Sequence, residues 1–168
     1  VLKQKGQHVL VVDKNGIASG GSGAAGAFVS PKIGKGSPLQ KLTNEAFEYA
    51  KDFYLFTCPT LFHQTGVIRI PKDETDAQKF SAYEAYNENT YENYTKEALS
   101  QQGIKAAFES FFFPEAGVCD AKEVCATLLT DIEVIVYEVK EIQQENERWS
   151  IGDFQAKNLV FATGFESS

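Results

Sequence analysis

HVLVVDKNGIASGGSGAAGAFVSP, residues 8–31, is the stretch that decides how the chain reads. Its first part, Val9-Leu10-Val11-Val12, is apolar without alternation, the pattern of a parallel strand covered on both faces. Asp13 ends that run. Residues 18–31 that follow are mostly Gly, Ala and Ser, which bury little, and each glycine costs conformational entropy on folding. Seven of the 13 glycines lie between Gly16 and Gly36. Such a stretch is either a flexible linker or a place where main chain approaches something large. Ala27-Phe28-Val29 makes a poor linker, which favours close approach.

Further elements follow on both sides. Before the strand, the first residues read as a helix end stopped by Gly6. After the loop, Ser37-Pro38 opens a helix, serine as cap and proline in the first turn. Leu39, Leu42, Ala46, Tyr49 and Phe53 supply its apolar face to about residue 56. Leu61 to Ile70 is expected as one strand, with Gly66 as a bulge or close approach. Residues 74–88 and 90–102 are expected as polar, tyrosine-rich helices ended by Gly103. Ile104 to Phe113 reads as a strand stopped by Pro114. Asp120-Ala-Lys-Glu123 resembles a capping box before VCATLL. Ile132 to Val139 is a strand, 142–149 a polar hairpin-like turn, and Leu159 to Gly164 a last apolar strand.

Composition narrows the classes. The net charge is −7. Residues 1–72 carry nine Lys/Arg against four Asp/Glu, and residues 73–168 seven against 19, so the two parts stand at +5 and −12. An acidic chain is a poor general binder of nucleic acid. Lys32, Lys35 and Lys41 read as a solvated face before an anion-binding patch. No run of about 18 apolar residues is present, so no membrane span is expected. Cys58, Cys119 and Cys125 lack metal spacing and read as reduced thiols of a cytoplasmic protein.

The strand ending in Asp13, the small-residue loop, an intervening α+β region and then NLVFATG resemble, in that order, flavoproteins of the D-amino-acid oxidase and glycine oxidase superfamily. The loop ASGGSGAAGAFVSP, the segment AFEYAKDFY, FHQTGVIRI and FFFPEAGVCDAKEVCATLL carry the resemblance over nearly the whole chain. Within the superfamily, the likeness is strongest to the oxidoreductase domains of bifunctional enzymes that modify the tRNA wobble uridine. Ala24 stands where that loop usually has Asn, Gly26 is shifted by one place, and no GxGxxG turn precedes Val9.

The resemblance implies an α/β fold. A partial Rossmann-like FAD-binding domain, residues 1–56 and 129–168, is split around an α+β substrate domain with a mixed or antiparallel sheet, residues 57–128. It implies FAD as cofactor. Asp13, with Lys14 beside it, would bind the adenosine ribose, though Asp13 equally suits a cap on the Asn15-Gly16 turn. Ser19, Ser22, Gly23 and Gly26 would line the flavin. Val139 would meet the adenine by its backbone, and Ala162, Thr163 and Gly164 would close the nucleotide site. Arg69 is the candidate for a substrate carboxylate. His63 reads as a packed or surface histidine, and Tyr83, Tyr86, Tyr91 and Tyr94 as packing residues rather than base platforms. The chain is expected to be an internal piece of a larger amine oxidoreductase, inactive alone, with tRNA as the parent's partner and cut sheet edges prone to self-association. Two other classes stay open: an oxidase of small amino acids or N-substituted glycines, and a non-catalytic folding or interaction module.

Overall fold

The structure, a computed structural model, describes residues 1–164; the last four positions of the 129–168 piece lie outside the described residues. In chain order, β1 is Leu10–Asp13, α1 Gly21–Ala24, β2 Phe28–Val29, α2 Pro38–Thr57, β3 Phe62–His63 and β4 Val67–Arg69. Then come α3 Glu74–Tyr83, β5 Glu92–Tyr94, α4 Lys96–Gln101, β6 Ser110–Phe113, β7 Gly117–Cys119 and α5 Ala121–Leu128. The remaining strands are β8 Glu133–Val136, β9 Gln143–Glu145, β10 Arg148–Ile151 and β11 Phe154–Ala156. No helix among the described residues is long and apolar enough to cross a membrane.

The chain forms two compact units, Val1–Ala25 with Ala121–Ser168, and Gly26–Asp120. The boundary falls inside the small-residue loop. Helix α2, expected with the cofactor-binding part, instead belongs to the unit 26–120.

In the first unit, β1 and β8 run parallel, with Leu10 opposite Glu133 and Asp13 opposite Val136. The parallel pairing is as expected. The strand is half-buried throughout rather than covered on both faces. β8 ends at Val136 instead of Val139, although the Tyr137 N–H still donates to the Asp13 carbonyl at 2.9 Å. The polar hairpin is larger than expected. β9, β10 and β11 form an antiparallel meander, turned at Asn146-Glu147, where both residues have positive φ as a two-residue hairpin requires. The strand expected over 159–164 does not form; among the described residues none pairs with this segment in a sheet, and Val160 and Phe161 are exposed.

In the second unit, β2-β7-β3 and β4-β6-β5 form two antiparallel sheets. The expected single strand 61–70 is therefore two strands in different sheets. The break comes where Thr65 N–H turns back to the His63 carbonyl and Gly66 takes φ +75°. A side chain on Gly66 would overlap the Phe112 ring, so the close approach read there is real. Residues 92–94 are strand rather than helix, because β6 takes them into its ladder; the helix starts only after Thr95, whose hydroxyl accepts from Ala98 N–H. Gly103, at φ +77°, ends α4 as expected, and Ile104 N–H reaches back to the Leu99 carbonyl. The strand expected from Ile104 is confined to 110–113.

The core of this unit gathers Phe47, Phe111, Phe113 and Ala116, with Val29, Ile33, Val67, Phe80 and Tyr91 against it. Phe80 stacks on Phe111, and Tyr91 meets the same ring edge-on at 5.1 Å. Ser37 caps α2 as its sequence implies. The buried stripe of α2 is different from the expected one: Gln40 and Phe47 are buried, while Leu39, Leu42 and Tyr49 stand in solvent. Gln40 accounts for this rotation. Its amide accepts from Gly36 N–H at 2.8 Å and donates to the Tyr86 carbonyl at 3.1 Å, so a polar side chain takes an inward position that an apolar tally passes over.

Candidate functional site

Parallel strands leave their carboxyl ends at one edge, and ligands of α/β folds bind outside that edge. Here the edge is formed by Asp13 of β1 and Val136 of β8. The Asp13 Oδ1 accepts from the N–H groups of Asn15 at 2.9 Å and Gly16 at 2.8 Å, and from the Ser19 hydroxyl at 3.4 Å. The carboxylate therefore caps its own turn, one of the two roles open to it, and thereby fixes where the small-residue loop begins. Lys14 forms an exposed ion pair with Glu138 at 2.9 Å, tying the two strand ends together.

The loop then folds over itself. Ala18 adopts φ +53°, a conformation that costs a non-glycine residue about 1–2 kcal/mol. Gly23 is small for an internal reason: a Cβ there would overlap the Ala18 carbonyl oxygen. Gly20 and Gly21 have no such reason, since a Cβ at either would meet nothing within 4 Å. Above this bare backbone lies an open depression of about 420 Å³, bordered by Asn15, Ile17, Ser19, Gly20, Gly23 and Lys122. Helix α1 packs against α5, which is how Lys122 reaches the rim. Lys122 was not among the site residues expected from sequence; it sits inside the segment read as a capping box.

Of the expected cofactor residues, Asp13, Ser19 and Gly23 come together at this depression or its supporting turn. Lys14 lies at the strand edge beside them. Ser22 lies within α1, its carbonyl accepting from Ala25 N–H. Val139 lies beyond the end of β8 and is exposed. Ala162, Thr163 and Gly164 are exposed. Gly26 and Arg69 belong to the other unit. There Arg69 ends β4, and its Nη2 donates to the Ser30 hydroxyl at 3.3 Å. His63 pairs with Val118 in a ladder and is exposed, as a surface histidine should be.

Cys119, Lys51 and Glu115 of the unit 26–120 have shifted acidities. Burial, reinforced by the neighbouring Cys58, pushes the Cys119 thiol up, opposite to what a nucleophilic cysteine needs. Lys51, 12% exposed, contacts Glu115 and lies 2.7 Å from Glu48. Burial opposes its charge, but the hydrogen bonds to Glu115 and Glu48 outweigh that and raise its pKa. The Lys51 bond in turn holds the Glu115 carboxyl below its ordinary value, with Thr90 assisting.

Residues 1–168 match the family described as DAO, FAD dependent oxidoreductase, and the chain belongs to that family. Two curated relatives carry the name tRNA 5-methylaminomethyl-2-thiouridine biosynthesis bifunctional protein MnmC. The one from Idiomarina loihiensis is 28% identical over 97% of this chain and 29% of its own length. The one from Maricaulis maris is 35% identical over 48% of this chain and 14% of its own length. Among solved structures, glycine oxidase from Geobacillus kaustophilus superposes with a TM-score of 0.68 at 18% identity, covering 89% of this chain and 46% of that one. L-proline dehydrogenase from P. horikoshii gives 0.64 at 16%, covering 88% and 42%. These likenesses show a shared fold, and the chain spans less than half the length of each relative.

The family's cofactor is FAD. The residues present fit a flavin nucleotide at the strand edge: a carboxylate-anchored turn, bare main chain at Gly20 with open space above it, and one cation on the rim.

Proposed function

We propose that this chain supplies part of the FAD site and part of the substrate side of an amine oxidoreductase acting on the wobble uridine of tRNA. In this reading the amine is oxidised to an imine and water splits that imine, so the carboxymethyl part of a carboxymethylaminomethyl group leaves as an oxo acid and an aminomethyl base remains. The observation that carries the cofactor half is the bare, open backbone at Gly20 beside the Asp13 turn. The name shared by both curated relatives supports the substrate half.

Bound flavin supplies the acceptor for the two electrons and hydrogen removed at the carbon–nitrogen bond. The chain's own contributions are positional. Asp13 holds the turn that aims the loop, Gly20 admits a flat ligand against main chain, and Lys122 balances phosphate charge. tRNA is the partner in this reading, met by surfaces of the full-length protein.

The test is nucleoside mass spectrometry of tRNA bearing carboxymethylaminomethyl-uridine after incubation with the full-length, flavin-loaded protein. The proposal expects that nucleoside to lose its carboxymethyl mass. Unchanged tRNA would refute it. A second reading, oxidation of small amino acids or N-substituted glycines, is favoured by the fold shared with glycine oxidase. Its mark would be turnover of free N-methylglycine by the same preparation.

A further inference from the structure

The sheet β4-β6-β5 uses its two faces differently. Side chains alternate along a strand, so Phe111 and Phe113 enter the core while Phe112 points the other way. On that second face Phe112 meets Tyr94, with ring centroids 5.1 Å apart and planes 35° apart. Gly66 permits this, since any side chain there would overlap the Phe112 ring. Tyr94 thus parts from Tyr91, which packs inward as expected. Phe28, 72% exposed, closes the other side of a groove of about 380 Å³. That volume lies within the roughly 300–1,000 Å³ of small-molecule sites.

The chemistry of the groove is selective. Three aromatic rings supply π faces, and Thr65 and Gln102 supply a hydroxyl and an amide. None of its lining residues is charged. A free amino acid brings a carboxylate and an ammonium, which need charged or densely hydrogen-bonding partners. Arg69, the candidate carboxylate partner, is not among the lining residues; it pairs with Phe111 on the opposite pleat. A neutral planar heterocycle needs what is present: rings to stack on and a few edge hydrogen bonds.

We propose that this groove seats the pyrimidine base of the substrate, stacked against Phe28 and Phe112 with its edge toward Gln102 and Thr65. The inference rests on the tRNA reading above and gives the base a place in the unit 26–120.

The test is saturation-transfer NMR on the full-length, flavin-loaded protein, with uridine as probe and N-methylglycine as competitor. Uridine should receive saturation mainly at its base protons, and N-methylglycine should not displace it. Phe28→Ala removes a largely exposed ring and should weaken uridine about tenfold, as loss of one base–aromatic stack does. Phe56→Ala, an exposed ring on α2 outside the groove, should leave uridine affinity unchanged. Absence of saturation, equal affinity in Phe28→Ala, or displacement by N-methylglycine would each overturn the inference. The nucleoside assay separates the two ideas. Modified tRNA with a Phe28-independent uridine site refutes the groove alone; unmodified tRNA with a Phe28-dependent site refutes the tRNA function alone.

Discussion

Gly66 and Gly103 make a matched pair of perturbations in one unit. Both have nearly the same left-handed backbone, φ +75° and +77°. A Cβ at Gly103 meets nothing within 4 Å, whereas one at Gly66 overlaps the Phe112 ring. Gly103→Ala should therefore cost only the left-handed penalty, about 1–2 kcal/mol. Gly66→Ala carries the same penalty and must also displace a ring, an overpacking cost of about 1–3 kcal/mol. Its total is then about 2–5 kcal/mol, a large share of a domain's roughly 5–15 kcal/mol. The loss of unfolded-chain entropy on replacing glycine is common to both and cancels in the difference. Equilibrium urea unfolding followed by circular dichroism reads that difference, since both residues lie in the unit 26–120. Equal destabilisation, to within about 0.5 kcal/mol, would refute the placement of Phe112 against Gly66 and with it the shape of the aromatic groove.

Other consequences are simpler to state. Asp13→Ala strands the N–H groups of Asn15 and Gly16 and should cost about 1–2 kcal/mol with weakened flavin retention, while Asp13→Asn keeps an acceptor and should cost less; thermal melts and flavin release measure both. Glu115 is held below its ordinary value of 4.5, so its contribution is complete above that pH and is lost as pH falls through its lower folded value; Glu115→Gln should flatten this acid limb in pH-dependent melts. Lys51 is raised above 10.5, so its contribution is complete below that pH and fades only as pH climbs through the raised value; alkaline melts of Lys51→Met should lack that limb. Cys119, with its thiol pKa raised, should alkylate more slowly than a model thiol at pH 8, and faster labelling would contradict its burial.

The legible parts of the fold were those with local chemical signatures. Ser37-Pro38 announces α2, Gly103 its own helix stop, and Val9 to Asp13 a parallel strand, because caps, left-handed turns and apolar runs act over a few residues. The inward stripe of α2 was not legible. Gln40 is buried by bonds to Gly36 and Tyr86, and Tyr86 lies 46 positions away. Residues 92–94 look helical until β6 pairs with them, a case of tertiary context overriding pattern. The same holds for the sites. Asp13, Ser19 and Gly23 lie together because they belong to one contiguous stretch of chain. Lys122 reaches that loop only through the packing of α1 on α5. The groove draws Phe28, Thr65, Tyr94, Gln102 and Phe112 from separate segments, so only the folded chain assembles it.

Graded substitution at Gly20 tests the flavin assignment most directly, because side chains added there touch no protein atom within 4 Å at the Cβ. Full-length Gly20→Ala and Gly20→Leu proteins should keep the apoprotein's melting temperature while flavin content, read from visible absorbance per polypeptide, falls with side-chain size. Wild-type flavin content in Gly20→Leu would mean that no cofactor lies against this backbone.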